Sequence, residues 1–140
     1  MATFNKYNCF VENLAEKVHN LQSDTLKVAL TNTAPTSADT VWNTTVYPAP
    51  TAANGYTAGG NSLTVASSSQ TSGTYKLVIN DSVFTATAGG IGPFRYVVLY
   101  NSTASNAVIG YYDYGSSITL ADTETFTIDF DASNGVLTIA

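Results

Sequence analysis

The sequence predicts a mainly β protein, an antiparallel β-sandwich of which the jelly roll is one form, with one N-terminal α-helix. Three observations carry this. About eight or nine short runs rich in Val, Ile, Thr, Tyr and Phe recur between Gly, Asn, Asp and Pro turns, at the spacing of a sandwich or barrel. Only one stretch, near the start, places its apolar residues at helical spacing. The 140 residues, 44% hydrophobic and 11% charged, suit one domain (1–140) that buries its own core and are too apolar for a disordered chain.

The helix is expected over about residues 5–21, where Tyr7, Phe10, Val11, Leu14, Ala15, Val18 and Leu21 fall at steps of three and four and form one stripe. Thr3 or Asn5 is in place to cap its start. Glu12 and Glu16 stand at a repulsive spacing, so burial of the stripe has to hold the helix. Alternation then takes over: Leu26, Val28 and Leu30 oppose Thr25, Lys27, Ala29 and Thr31, the pattern of a half-buried strand.

Between Lys27 and Lys76 the one charged residue is Asp39, a composition odd for a freely solvated loop over residues 33–74. Within it "TVWNTTVY" (40–47) and "NSLTVASS" (61–68) read as short strands, separated by the Pro- and Gly-rich "PAPTAANGYTAGG". "TYKLVI" (74–79) and "SVFTAT" (82–87) follow, with Asn80 and Asp81 expected as a tight hairpin turn between them. In "GPFRYVVLYN" (92–101), Phe94, Tyr96, Val98 and Tyr100 point one way and Arg95, Val97 and Leu99 the other, so neither face looks wet. "AVIGYYDY", "SITL", "ETFTIDFD" and "GVLTIA" complete the chain. The last two are joined by "ASNG", whose Asn134 and Gly135 suit a turn with positive φ.

Charge excludes some functions. The five basic residues (Lys6, Lys17, Lys27, Lys76, Arg95) are scattered against ten acidic ones, giving a net charge of −5, and a nucleic-acid groove needs a concentrated positive footprint. No membrane association is expected: no stretch is apolar for long enough to span a bilayer, and the N-terminus lacks the pattern of a secretion signal. The chain is expected to stay in the cytoplasm until it is assembled elsewhere. Cys9, the sole cysteine, cannot form an internal disulfide and reads as a small hydrophobe.

Catalytic chemistry is thinly supplied. His19 is the sole histidine, and its place near a helix end supplies no obvious partner; Cys9 is too far along the helix to pair with it. "GGIGPFR" and "GYTAGGNS" match neither a P-loop nor a dinucleotide fingerprint. Asp122, Glu124, Asp129 and Asp131 form the best acidic cluster, but their spacing is not that of an EF-hand, and a solvated sheet face explains them as well. No catalytic residue, metal or cofactor is expected. Tyrosine is in excess, with nine copies. Arg95, Tyr100, Tyr111, Tyr112, Tyr114 and Trp42 are the candidate interface residues, and a strand apolar on both faces fits a protein interface better than a sugar-stacking surface. Arg95, the sole arginine, is expected to meet a carboxylate such as Asp113, or backbone carbonyls at a subunit seam.

"TLKVALTNTAP", "GPFRYVVLYNSTA", "IGYYDYGSSITLADTETFTIDFD" and the closing "GVLTIA" resemble the small virion proteins of tailed bacteriophages, nearest in character to the capsid decoration, or cement, kind. The resemblance implies a compact, β-rich, non-enzymatic protein that forms a homo-oligomer, with a trimer favoured. Its partner would be the major capsid protein of a phage, and it would be assembled in the host bacterial cytoplasm into the virion. A tail, neck or head-fibre component looks much the same. A carbohydrate-binding host-attachment module is the rival from another class, and an enzyme acting through the acidic cluster, Asp129 included, is third.

Overall fold

The apolar residues of "FRYVVLYN" need cover on two sides, and the chain itself provides both. In the computed structural model, which describes residues 2–140, they lie within a five-stranded sheet. The elements are β1 (Phe4–Lys6), α1 (Cys9–Ala15), β2 (Leu26–Thr31), β3 (Asn61–Ser62), β4 (Val65–Thr71), β5 (Thr74–Ile79), β6 (Ser82–Thr85), β7 (Ile91–Asn101), β8 (Ala107–Leu120), β9 (Thr125–Ile128) and β10 (Leu137–Ile139). The protein is mainly β, with one short helix and antiparallel sheets in a sandwich-like arrangement, as the sequence predicts. The large sheet has the order β1-β8-β7-β2-β3, and β10-β5-β4 and β6-β9 form two smaller sheets.

One face of the large sheet supplies Leu26, Val28, Leu30, Val97, Leu99 and Ile109 to the main core. Leu77 and Ile79 of β5, Phe84 of β6 and Ile128 of β9 close over them. Each such side chain contributes about 1.5–3 kcal/mol when fully buried, so this layer is the main source of stability. On the other face Ala29, Val98, Tyr100 and Val108 meet Tyr7, Trp42 and Tyr47 in a second core. Trp42 and Tyr47 come from residues 32–60, a stretch without regular strands that covers this face as a third layer and then crosses to the main core, where Tyr56 stacks on Phe84. Of that segment Trp42, Tyr47, Pro50, Tyr56, Gly59 and Gly60 are buried and most other residues are exposed, so contact with the sheet does not by itself account for its low charge.

The helix is shorter than the expected 5–21. Phe4–Lys6 is a strand paired with Tyr112–Gly110, and Phe4 fits because Gly110 has no Cβ to meet its ring. At the other end Val18 N–H donates to Asn13 C=O and Lys17 N–H to Leu14 C=O, a Schellman cap in which Lys17 takes the left-handed conformation at φ 64°. A lysine in a position that glycine normally fills hides this stop from sequence. The stripe consequently divides: Tyr7, Phe10 and Leu21 are buried, whereas Val11 and Val18 are exposed.

Other differences have equally local causes. "TVWNTTVY" forms only a bridge, Val41 to Ala107, because the Asn43 side chain accepts Thr45 and Val46 N–H and turns the chain. β5 and β6 are not a hairpin; they belong to different sheets, and Asp81 instead accepts Phe130 N–H. The hairpin partner of β5 is β4, through a two-residue turn at Ser72 and Gly73, both at positive φ. Likewise β10 pairs with β5 and not with β9, and Asp131 organises the intervening "ASNG" turn, where Gly135 has φ 80°. β2 is buried on both faces, not one, since Ala29 and Thr31 are as inaccessible as Leu30. In β7 the register against β8 shifts between Phe94 and Tyr96, which moves Phe94 to the main-core side with Val97 and Leu99.

Two glycines at positive φ separate strain from clash. Gly60 (φ 75°) lies so close to the Val28 carbonyl that a Cβ would overlap it, whereas nothing stands within 4 Å of a Cβ at Gly73 (φ 85°). Gly73→Ala is expected to cost about 1 kcal/mol from backbone conformation alone, and Gly60→Ala at least about 3 kcal/mol, because the layer over the sheet must shift as well. Denaturant unfolding of the two variants checks the difference.

Candidate functional site

The six candidate residues fall into three environments. Trp42 and Tyr100 stack face to face in the second core, with centroids 4.6 Å apart and ring planes at 10°. They are 7% and 2% exposed, so they seal the coil layer to the sheet and are not on the open surface of the chain. The Tyr100 hydroxyl donates to Gly59 C=O at 2.7 Å, and burial raises its pKa to about 12. Tyr111 borders the same core with its ring 5.3 Å from that of Tyr7.

A hydroxyl chain anchors this layer. A carboxylate only accepts, so Tyr47 donates to Asp39, and its oxygen is left to accept the Tyr7 hydroxyl at 3.1 Å. Burial pushes both tyrosine pKa values well above the ordinary range and keeps the hydroxyls protonated. Burial would raise Asp39 too, but hydrogen bonds from Tyr47 and from the Thr36 amide and hydroxyl outweigh it and hold the carboxyl below its usual value. The lone charge of an otherwise uncharged stretch is therefore an internal anchor. That solitude was the available signal; sequence reading did not connect Asp39 to Tyr7 and Tyr47.

His19 is buried in the connection from α1 to β2, beside the Phe10 ring at 5.5 Å. Asn101 Oδ1 accepts Thr103 and Ala104 N–H, which turns its amide nitrogen towards Asp24 Oδ2 at 2.6 Å and His19 Nδ1 at 3.2 Å. Facing an N–H donor, Nδ1 must accept, so the ring is neutral with its proton on Nε2. Burial lowers the His19 pKa, and the nearby Asp24 charge opposes that shift. Cys9 lies elsewhere, its Sγ directed at the carbonyls of Asp39 and Val108, and burial raises its pKa. His19 and Cys9 form no pair.

Arg95 and Tyr114 face outward. Between Phe94↔Ile118 and Tyr96↔Asp113 the ladder leaves residues 114–117 of β8 as a bulge, with Gly115 at φ 98°. Tyr114 rides on that bulge, 54% exposed, with its ring edge-on to Phe126 at 5.7 Å. Arg95 grips Asp113 through two bonds, Nε to Oδ1 at 2.8 Å and Nη2 to Oδ2 at 2.9 Å, and lies over the Tyr96 ring. The carboxylate named from sequence is thus met within the chain, in a partly exposed pair and not a buried one. Arg95 and then the Gly115 amide hold the Asp113 carboxyl below its usual range.

Tyr112 and Tyr114 are brought together with Phe4, Phe126, Ile128, Asp129 and Val136 around a cleft of about 460 Å³. Burial pushes Tyr112 up to about 12. The acidic cluster is dispersed in role: Glu124 accepts Ala121 N–H, Asp131 accepts Ser133 and Asn134 N–H, and Asp129 is left open at the cleft. Among the described residues no group of three or more His, Cys, Asp or Glu is placed to hold a metal ion, and no helix is long and apolar enough to cross a membrane. The chain matches no protein-family model, no curated protein and no solved structure.

Tyr47→Phe is expected to lose about 1–2 kcal/mol, since it leaves Asp39 and the Tyr7 hydroxyl without their shared partner; urea denaturation measures it. For His19 the folded pKa lies below the unfolded value of about 6.5, so its contribution is fully present above about pH 6.5 and is lost as pH falls through the folded pKa. Unfolding free energy measured at steps from about pH 7.5 down to 5 should fall more steeply in the native chain than in His19→Gln.

Proposed function

We propose that the protein is a non-enzymatic structural protein of a tailed-bacteriophage particle, serving on the capsid as a decoration or cement protein. The observation that supports it best is the division of labour among its side chains. Asp39, Glu124 and Asp131 are engaged by hydroxyls and backbone amides, while Tyr114 and Phe126 are presented at an open cleft on a rigid β scaffold. That is the arrangement of a surface that binds by area, at about 25 cal/mol per Å² of apolar surface before association costs. Many identical copies make weak contacts sufficient. The phrase-level resemblance to small virion proteins supplies the particle, with a phage major capsid protein and further copies of this chain, in a trimer, as partners. Assembly would take place in the host bacterial cytoplasm.

The contact surface in this reading is the cleft side, since both faces of β7 are already covered by the chain itself. A host-attachment module that binds carbohydrate is the second reading. It rests on the exposed Tyr114 ring and the Asp129 carboxylate, which line one cleft and suit stacking on a sugar face with hydrogen bonds to its hydroxyls. Trp42, buried under the coil layer, takes no part in it.

Purified protein added to phage particles that lack it should appear as density at capsid subunit seams in electron microscopy. Tyr114→Ala should weaken that binding by roughly tenfold or more with an unchanged melting temperature, as loss of an interface aromatic does. Density on the tail or neck would move the role within the particle. No binding to particles, together with saturable binding to a glycan array, would replace this reading with the second.

A further inference from the structure

The two-stranded sheet leaves a strand edge beside the cleft. β9 pairs with β6 alone. Just beyond the ladder, Ala86 N–H donates to Glu124 C=O. Hydrogen-bonded pairs recur at every second residue of an antiparallel ladder, so Phe84/Phe126 and Ser82/Ile128 are the bonded pairs. Thr127 and Asp129 consequently turn their N–H and C=O groups to the other edge of β9. Among the described residues neither has a backbone partner there. Phe126, Thr127, Ile128 and Asp129 all line the cleft. A strand that offered only a face would contribute every second residue, so the unpaired edge itself borders the opening.

The opposite wall is apolar and aromatic, with Tyr112 and Tyr114 of β8 and Phe4 of β1. Among the described residues the two ionisable acids of the cleft are Asp129 and Asp131, and no basic side chain lines it. Asp131 is occupied by the Ser133 and Asn134 amides and by the Asn134 side chain. Asp129 is exposed and forms no ion pair among the described residues. Unspent backbone groups, an aromatic wall and one open carboxylate therefore face a common space.

We propose that this groove takes an extended segment of a partner protein, added as a strand to the free edge of β9. Its apolar side chains would rest on Tyr112, Tyr114 and Phe126, and a Lys or Arg would meet Asp129. Main-chain hydrogen bonds supply affinity in such strand addition, and the alternate side chains supply selection. Charge complementarity argues for a basic residue in the segment. The inference deepens the particle reading, on which it rests for the identity of the partner as a protein.

The probe is a blocked peptide of about ten residues that alternates Val with Thr or Ser and carries one central Lys, compared with its Lys-to-Glu counterpart, both presented to the full chain. The Lys peptide should slow amide exchange at Thr127 and Asp129 by roughly tenfold or more and bind roughly tenfold tighter than the Glu peptide. Asp129→Lys should invert that preference. Thr127→Pro removes an edge donor that β6 does not use, so it should weaken both peptides while the melting temperature stays unchanged. Unprotected Thr127 and Asp129 amides, a preference unmoved by Asp129→Lys, or full binding by Thr127→Pro at unchanged melting would each overturn the proposal. Capsid density without peptide binding would sink the groove and leave the particle reading standing; peptide binding without capsid density would do the reverse.

Discussion

Everything else in this fold answers to the double burial of β7. A strand whose successive residues Val97, Val98, Leu99 and Tyr100 are all removed from water has to be central in its sheet and covered on two sides. β2 and β8 flank it, both smaller sheets and Tyr56 close one side, and the coil that carries Trp42 and Tyr47 is drawn over the other. The main core could be built by strands alone. The second one is closed by coil, which has no ladder of its own and must find partners for its backbone and its hydroxyls elsewhere.

That need explains the unusual use of tyrosine. Tyr7, Tyr47 and Tyr100 bring large apolar rings to a surface that an irregular segment could not otherwise seal, and each hydroxyl ends on an acceptor: Tyr47, Asp39 and Gly59 in turn. Phenylalanine in the same places would bury as much area and leave Asp39 and the Gly59 carbonyl without these donors. A buried carboxylate or carbonyl without partners costs more than a well-made hydrogen bond returns, so the three hydroxyls set where the coil lies as well as how tightly it holds. His19 and Asn101 do comparable work at the other end of β7, where the turn after α1 meets the strand's last residue.

The strands were legible where strand-forming runs were flanked by turn residues, as in β2, β5 and β7, whereas β8 reads as two runs, "AVIGYYDY" and "SITL", because the bulge at Gly115 looks like a break between strands. Pairing was not. β5 followed by Asn80 and Asp81 has the composition of a hairpin, but the acid bonds to Phe130 N–H and the chain crosses to another sheet, which only the tertiary fold decides. The helix end was hidden because Lys17 occupies a left-handed position without glycine's signature. "TVWNTTVY" has strand propensity throughout, and one Asn43 side chain bonding to two amides was enough to turn it. Of the candidate site, the Arg95–Asp113 pair was one of the outcomes nameable in advance, beside backbone carbonyls at a seam and a solvated strand end, because a guanidinium on an apolar strand seeks a carboxylate if it is buried. The separation of Tyr112 and Tyr114 from Tyr100 and Trp42 was not, since a tyrosine looks alike in sequence whether it seals a core or rims a cleft.

That separation changes where a partner would have to bind. Two apolar faces on one strand suggested a subunit seam, but the seam exists inside the chain, between the sheet and its coil layer. What remains for a partner is smaller and more directional: an exposed tyrosine on a β-bulge, a phenylalanine edge-on to it, and the unpaired side of a four-residue strand. Bulges re-aim side chains and interrupt pairing, and the one at residues 114–117 does both, lifting Tyr114 outward before the ladder resumes at Phe94 and Ile118. A protein that held its partner by broad apolar area alone would have no use for a strand edge left open beside aromatic rings. An edge of this kind invites uncontrolled pairing unless it is short or guarded by charge, and β9 is both, spanning Thr125–Ile128 with Asp129 at its end. The same carboxylate that discourages neutral or acidic strands is the feature that would admit a basic one.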